Sequence, residues 1–219
     1  MKRTILSFVL LSGVALAGSS SKEVIPPPPA PEPALWNWFA GASAGYLVDY
    51  EEDMYHLHLG IDLPSRCEWQ HSVFLECGWT SADDSFVTPP VTVGDSQFSL
   101  YLDSEVEIVP LTLNYKIERK FKEKLSAYVG AGIGVAFVDY EATAAALGGG
   151  GPTANFSDSD TVFAAQVFAG LAYQVTESFD LYGGARWIYL DDSDISVAPV
   201  GVGILEDDVL VEAGFRVNF

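Results

Sequence analysis

The chain has 219 residues, 49% of them hydrophobic and 13% aromatic, with 30 acidic against 11 basic side chains and a formal net charge of −19. So acidic a chain is a poor partner for nucleic-acid phosphates. Its two cysteines and three histidines show no CxxC or Cys/His ligand spacing, so no structural zinc site and no bound cofactor is expected.

Lys2 and Arg3, the apolar stretch from Ile5 to Leu16 and the small residues of Ala15-Leu16-Ala17 have the layout of a secretory signal peptide, expected to end at residue 17. The stretch falls short of the ~20 apolar residues a spanning helix needs. Ile25-Pro-Pro-Pro-Pro-Ala-Pro-Glu-Pro33 follows. Proline locks φ and lacks an N–H, so residues 18–35 are expected to be an extended spacer outside any sheet. The folded domain is then 36–219.

From Trp36 onward, apolar and polar residues alternate with a period of two, the pattern of strands with one oily face. The first predicted strand, Trp36 to Tyr50, points Trp38, Ala40, Ala42, Ala44 and Tyr46 one way and Phe39, Gly41, Ser43 and Gly45 the other. The second, Tyr55 to Leu63, sets Leu57, Leu59 and Ile61 against His56, His58, Gly60 and Asp62. A turn over Pro64 to Gln70 leads to the third, His71 to Thr80, with Val73, Leu75, Cys77 and Trp79 on the oily face and Ser72, Phe74 and Glu76 behind. Cys67 in that turn and Cys77 along the strand are expected not to pair. A rise of ~3.3 Å per residue separates them beyond the ~7 Å that a disulfide spans.

Residues Ser81 to Ser96 read as a long loop. In the fourth strand, Gln97 to Ile117, the apolar face changes parity near Val109-Pro110. A bulge at Pro110 is the expected cause, with two separate strands as the alternative. A turn from Glu118 to Lys124 precedes the fifth strand, Leu125 to Tyr140, whose inward face carries Gly130, Gly132 and Gly134. The sixth, Thr161 to Val175, points Gln166, Phe168 and Gly170 inward. The seventh ends near Leu190 and carries Arg186 inward, and the eighth runs from Asp208 to Phe219.

Eight such strands joined by alternately long and short connections imply an all-β fold: a closed, antiparallel, up-and-down transmembrane β-barrel with long external loops and both chain ends in the periplasm. The last strand ends on Phe215, Val217 and Phe219, alternating with Gly214, Arg216 and Asn218. This resembles the C-terminal aromatic signal of outer-membrane barrels, which the barrel-assembly machinery reads. Together with Val109-Pro-Leu-Thr-Leu-Asn-Tyr-Lys116 and Tyr128-Val-Gly-Ala-Gly-Ile-Gly134 it makes residues 36–219 resemble the small eight-stranded outer-membrane barrels, the OmpA-type membrane domain and its OmpX- and opacity-protein-like relatives. The resemblance implies a bacterial outer-membrane location, with membrane lipids and lipopolysaccharide as surroundings and a monomeric state.

An eight-stranded barrel has an interior only wide enough for side chains, so inward charges must pair. The inward set is Asp62, Glu76, Lys116, Arg186, Glu212 and Arg216. Arg186 stands seven residues above Phe179 and Glu212 seven above Phe219 on neighbouring strands. Glu76 reaches a similar height opposite, so a cluster of Arg186 with Glu212 and Glu76 is expected, with Lys116 and Arg216 lower. Acidic groups at Glu51-Glu52-Asp53, Asp83-Asp84, Asp158, Asp160, Asp191-Asp192, Asp194 and Glu206-Asp207-Asp208 map to external tips, which could attract divalent cations weakly but show no EF-hand spacing.

The functional expectation is a non-enzymatic structural or surface-interaction barrel. The alternative is a narrow pore, if the inner glycines leave a water path. An enzyme acting on lipid or peptide is a third reading. His71 and Ser72 point to opposite faces, however, and no Ser-His-acid set converges.

Overall fold

The computed structural model describes residues 36–65, 68–87, 91–93, 96–147, 153–191 and 207–219. The expected signal peptide and proline spacer fall outside the described residues. So do Arg66, Cys67, Pro89-Pro90, the stretch 148–152 and the acidic residues Asp192, Asp194 and Glu206.

Nine strands occur among the described residues: β1 (Asn37–Leu47), β2 (Asp53–Leu63), β3 (Trp69–Val87), β4 (Val91–Val93), β5 (Ser96–Lys120), β6 (Leu125–Leu147), β7 (Thr153–Thr176), β8 (Phe179–Leu190) and β9 (Asp207–Asn218). Each pairs antiparallel with its sequence neighbours, except that β3 pairs directly with β5. β9 returns to β1, from Phe39↔Asn218 to Leu47↔Leu210. Eight strands therefore close on themselves, and β4 is a three-residue partner beside the start of β5. Closure leaves no edge along the barrel wall, so backbone N–H and C=O groups are paired without water.

The strands fall into two lengths. β1, β2, β8 and β9 have 11 or 12 residues, close to the ~9–11 that a tilted strand needs to cross a bilayer. β3, β5, β6 and β7 have 19 to 25. They continue together past the mouth of the barrel as a four-stranded extension, paired as far as Val87↔Tyr101 and Ser99↔Leu147. The expected loop over Ser81 to Ser96 is thus corrected. Its first seven residues are strand, laddered to β5 from Ser81↔Glu107 to Val87↔Tyr101. Asp83 and Asp84 resemble loop residues, yet they sit on a sheet whose faces meet water.

The expected bulge at Pro110 is also corrected. β5 is one strand, in unbroken register with β6 through Pro110↔Ala136. Pairing with β3 lapses only at Gly78 and Trp79, opposite Pro110 and Val109, and resumes at Thr80↔Ile108 with the register unchanged. Proline lacks the N–H for a ladder bond, but it costs the strand no residue. Even-numbered side chains point inward on both sides of it: Val106, Ile108, Thr112 and Asn114 are all buried. The inside itself changes character, from polar below Pro110 to apolar above it.

Below that level the outer surface is an apolar belt that includes Leu57, Leu59, Leu75, Leu113, Val129, Ile133, Val167 and Val211, each at least 49% exposed. Aromatic residues border it. On one side the indole N–H of Trp79 donates to Glu107 (2.8 Å), and that of Trp187 donates to Asp207 (3.2 Å). On the other side lie Trp36, Trp38, Trp69, Tyr115 and Tyr173. Such girdles bound the hydrocarbon-facing band of transmembrane barrels.

Candidate functional site

The lumen is filled in layers, each built from inward positions of many strands. At the end carrying the long strands, Leu47, Met54, Val106, Ile108, Val138, Tyr140, Val162, Ile188, Leu190 and Leu210 form an apolar cluster, each no more than 7% exposed. This layer was not expected from the sequence. The tip above it is tied down by Asp208, which is buried rather than displayed at a loop tip as expected. Its carboxylate accepts the backbone N–H groups of Asp49 (3.0 Å) and Tyr50 (2.9 Å). Burial, and then the charge of Glu52, raise the Tyr50 phenol above its ordinary pKa.

Beneath the apolar layer is a polar one. The Arg186 guanidinium donates to Glu76 through both terminal nitrogens, to Glu212 (3.0 Å) and to the side-chain oxygen of Gln166 (2.8 Å). Ser43 donates to Glu212 (3.0 Å). The amide nitrogen of Gln166 donates to Glu76 (2.9 Å), Thr112 (3.0 Å) and Asn114 (2.6 Å). Arg186, Glu76 and Glu212 are each 5% exposed or less. Two carboxylates around one guanidinium leave this layer one negative charge in excess, which neutral donors from Ser43 and Gln166 share. The sequence reading grouped these three charges and did not include Gln166, Asn114, Thr112 and Ser43, all of which stand at inward positions within reach.

Below the guanidinium is an aromatic layer of Phe39, Phe74, Tyr128 and Phe168, with Tyr182 against it. The His58 ring packs among Phe39, Phe74 and Tyr182 at centroid distances of 5.6 to 6.0 Å. It fills space among these rings, and its Nδ1 is buried without a hydrogen-bond partner among the described residues. A cavity of about 40 Å³ remains between Arg186 and these rings.

A second ionic layer follows. Arg216 pairs with Asp62 while its Nε donates to Asn218 (2.6 Å), and its guanidinium lies 3.9 Å from the Phe39 ring centre. Ser72 also donates to Asp62 (2.7 Å). Lys116 pairs with Glu118 (2.8 Å), which also accepts from Ser126 (2.5 Å). Glu118, expected in a turn, is an inward strand residue that neutralises Lys116. The lumen then widens into a polar vestibule of about 870 Å³ at the end where the chain termini of the barrel lie.

The inner glycines do not leave the axis open. A Cβ on Gly41 would strike the His58 ring, on Gly130 the Phe168 ring, on Gly132 the Asn114 amide and on Gly170 the Tyr128 hydroxyl. Each glycine is the space into which a neighbour's large side chain lies, which corrects the expectation that these positions leave volume.

His71 and Ser72 diverge. The His71 Nδ1 meets the Tyr115 hydroxyl outside the barrel (2.7 Å), while Ser72 is inside on Asp62. Among the described residues no group of three or more His, Cys, Asp or Glu side chains is placed to hold a metal ion. Of the terminal strand, Phe215, Val217 and Phe219 face outward, 42%, 39% and 71% exposed.

No protein-family model matches the sequence, and no curated protein sequence does. Solved structures do match. A major outer membrane protein of Thermus thermophilus is similar over 84% of this chain and 99% of its own, at 13% identity and a TM-score of 0.51. The N-terminal β-barrel domain of Pseudomonas aeruginosa OprF matches over 84% and 97% at 15% identity, with a TM-score of 0.44. Ail of Yersinia pestis matches over 84% and 97% at 13% identity, also with a TM-score of 0.44. At such identities the likeness to the Thermus protein bears on the fold: a closed, eight-stranded, antiparallel transmembrane barrel.

Proposed function

We propose that the protein is a non-catalytic barrel of the bacterial outer membrane, with a sealed lumen and an acidic, strand-built extension that serves structural and surface-interaction roles. The chain termini then lie on the periplasmic side and the four long strands project outward. The observation that carries the reading is an inversion of side-chain polarity along β5 and β6. In the belt Leu113 and Ile133 face out over inward Asn114 and Gly132. Above it Glu105, Glu107, Asp139 and Glu141 face out over buried Val106, Ile108, Val138 and Tyr140. A strand oily outside and polar inside suits lipid, and the reverse suits water. The change marks where the barrel would leave the membrane. Outward Phe215, Val217 and Phe219 would be the strand read by the barrel-assembly machinery. Lipopolysaccharide would border the external girdle, and divalent cations would associate only weakly with the carboxylates above it.

A narrow pore is the second reading, favoured by the vestibule. Against it stand lumen-filling layers in series: an apolar one, the Arg186 ion cluster, an aromatic one and a second ionic one. The deciding experiment is single-channel recording of the refolded protein in planar bilayers. A silent bilayer is expected, and steady conductance would replace the sealed barrel with a pore.

A further inference from the structure

The cations of the described residues divide into two groups. Lys116, Arg186 and Arg216 point into the lumen and are held there by carboxylates. The others, Arg119, Lys120, Lys122 and Lys124, are all exposed and all belong to one hairpin, the end of β5 and its turn into β6. In a chain of net charge −19, with its carboxylates massed at the other end, this is a concentrated basic patch.

The patch is built rather than loose. Backbone N–H groups of Phe121 and Lys122 donate to the Leu125 carbonyl (3.1 and 3.2 Å), and the Gln174 N–H ties β7 to the Lys124 carbonyl (2.8 Å). Arg119 lies 5.1 Å from the Trp69 ring centre and pairs with Glu68 (3.0 Å). Lys120 donates to the neutral Gln174 side chain (2.9 Å). Among the described residues Lys120, Lys122 and Lys124 form no salt bridge, and Glu123 is the one carboxylate within their turn. Beside Arg119 and Lys120 a groove of about 700 Å³ runs along Glu68, Trp69, Ile117, Phe121 and Val129, and Lys122 and Lys124 border a second one with Leu125 and Tyr173. Val129 and Tyr173 are exposed on the outward face, so the basic hairpin edges grooves that reach the lipid-facing surface.

We propose that this hairpin binds anionic phospholipid, with the headgroup phosphate on Lys120, Lys122 and Lys124 and an acyl chain along the groove beside Phe121. The proposal rests on the reading that the barrel spans a membrane. It adds which lipid chemistry the leaflet at the vestibule end presents there. Two features favour a membrane lipid over a soluble anion: the groove includes Val129 of the apolar belt, and the half-exposed Phe121 ring (53%) stands at the same level as the lysines. Lysine stems lying on apolar surface with their ammonium groups at the headgroups are a common interfacial arrangement.

The test uses the full mature chain, refolded in zwitterionic detergent. It is titrated with phosphatidylglycerol or with phosphatidylcholine of the same acyl chains, and bound lipid is counted by native mass spectrometry. Phosphatidylglycerol should bind about tenfold more tightly. That preference should vanish in the Lys120→Gln/Lys122→Gln/Lys124→Gln variant and persist in Asp103→Asn/Glu105→Gln, which alters the other end. Equal binding of the two lipids, or a preference that survives the triple substitution, overturns the site. So does displacement of phosphatidylglycerol by an equal concentration of inorganic phosphate, which would mark a soluble-anion site. Insertion into phosphatidylcholine vesicles is read separately by the heat-dependent gel shift of folded barrels. A wild type that inserts without lipid preference refutes the headgroup site alone. A chain that inserts into no vesicle refutes the membrane reading as well.

Discussion

The Arg186 guanidinium carbon lies 5.2 Å from the centre of the Phe168 ring, its cross-strand partner on β7. The cation is thus held from the sides by Glu76 and Glu212 and from one face by an aromatic ring. Ring and carboxylates act on the same charge, so removing the arginine strands both carboxylates in a site with little water. Arg186→Ala should destabilise the barrel by about 3–5 kcal/mol, the range for breaking one partner out of a buried ion pair. Combining Arg186→Met with Glu76→Gln and Glu212→Gln should recover most of that loss, because no buried charge is then left alone. Urea titration of refolded protein in vesicles measures both. Equal losses in the single and triple variants would show that packing, not charge, sets the cost.

The glycines of the inner face make a sharper test of packing. At Gly132 a Cβ would collide with the Asn114 oxygen, which accepts the Gln166 amide. At Gly183, which faces outward with Leu181 and Ala185, the nearest atom is the Glu212 carbonyl oxygen, at 3.4 Å. Gly132→Ala should cost about 1–3 kcal/mol through overpacking and loss of the Gln166 contact, whereas Gly183→Ala should fall within about 0.5 kcal/mol of wild type. A cost at Gly132→Ala as small as at the outward Gly183→Ala would mean that the lumen is looser than its contacts imply.

Closures in series predict how conduction responds to mutation. Arg186→Ala opens one ionic layer but leaves Met54, Ile108 and Leu210 above it and the rings of Phe39, Phe74 and Phe168 below it, and an apolar constriction excludes ions by dewetting. Arg186→Ala alone and Met54→Ala/Ile108→Ala/Leu210→Ala alone should therefore remain silent in planar bilayers, while a variant that combines them with Phe39→Ala/Phe74→Ala/Phe168→Ala conducts. Conductance from Arg186→Ala alone would show that the apolar layer is no barrier.

The strands and their facing were legible because one face of each is apolar over the length that suits a bilayer, and a period of two allows no drift. The ionic layer was legible from equal offsets: Arg186 and Glu212 each stand seven residues from an outward phenylalanine, Phe179 and Phe219, and β8 and β9 are neighbours. Above Pro110 the same rule misled. Val106 and Ile108 are apolar and buried while Glu105 and Glu107 are acidic and outside, so hydrophobicity moves to the other face with no change in the strand. A single-sequence pattern registers that exchange as a slip of one residue. The signal that resolves it is Asp139 and Glu141 on β6, which put acidic residues on the outward face at the same height. Glu118 was hidden differently, since its neighbours Arg119 and Lys120 give it the look of a charged turn while its parity with Lys116 and Asn114 places it inside.

That exchange can be located by substitution. Ile133 is 62% exposed in the middle of the belt, and Glu141 lies eight residues further along the same outward face, directly across from Glu105 on β5. If the belt lies in hydrocarbon, Ile133→Arg should cost about 2–4 kcal/mol, the range for arginine on the lipid face near the bilayer midplane. Glu141→Lys should have the opposite sign. It replaces two like charges facing each other across a ladder with an opposite pair, worth about 0.2–1 kcal/mol of stabilisation in water. Because that pair would be exposed, its benefit should shrink as salt is raised, while the Ile133→Arg penalty should not. Urea unfolding of both variants in vesicles at low and high salt reads the two effects together. A substantial penalty at Glu141→Lys would move the membrane boundary outward past that residue, and a negligible one at Ile133→Arg would take the belt out of the bilayer.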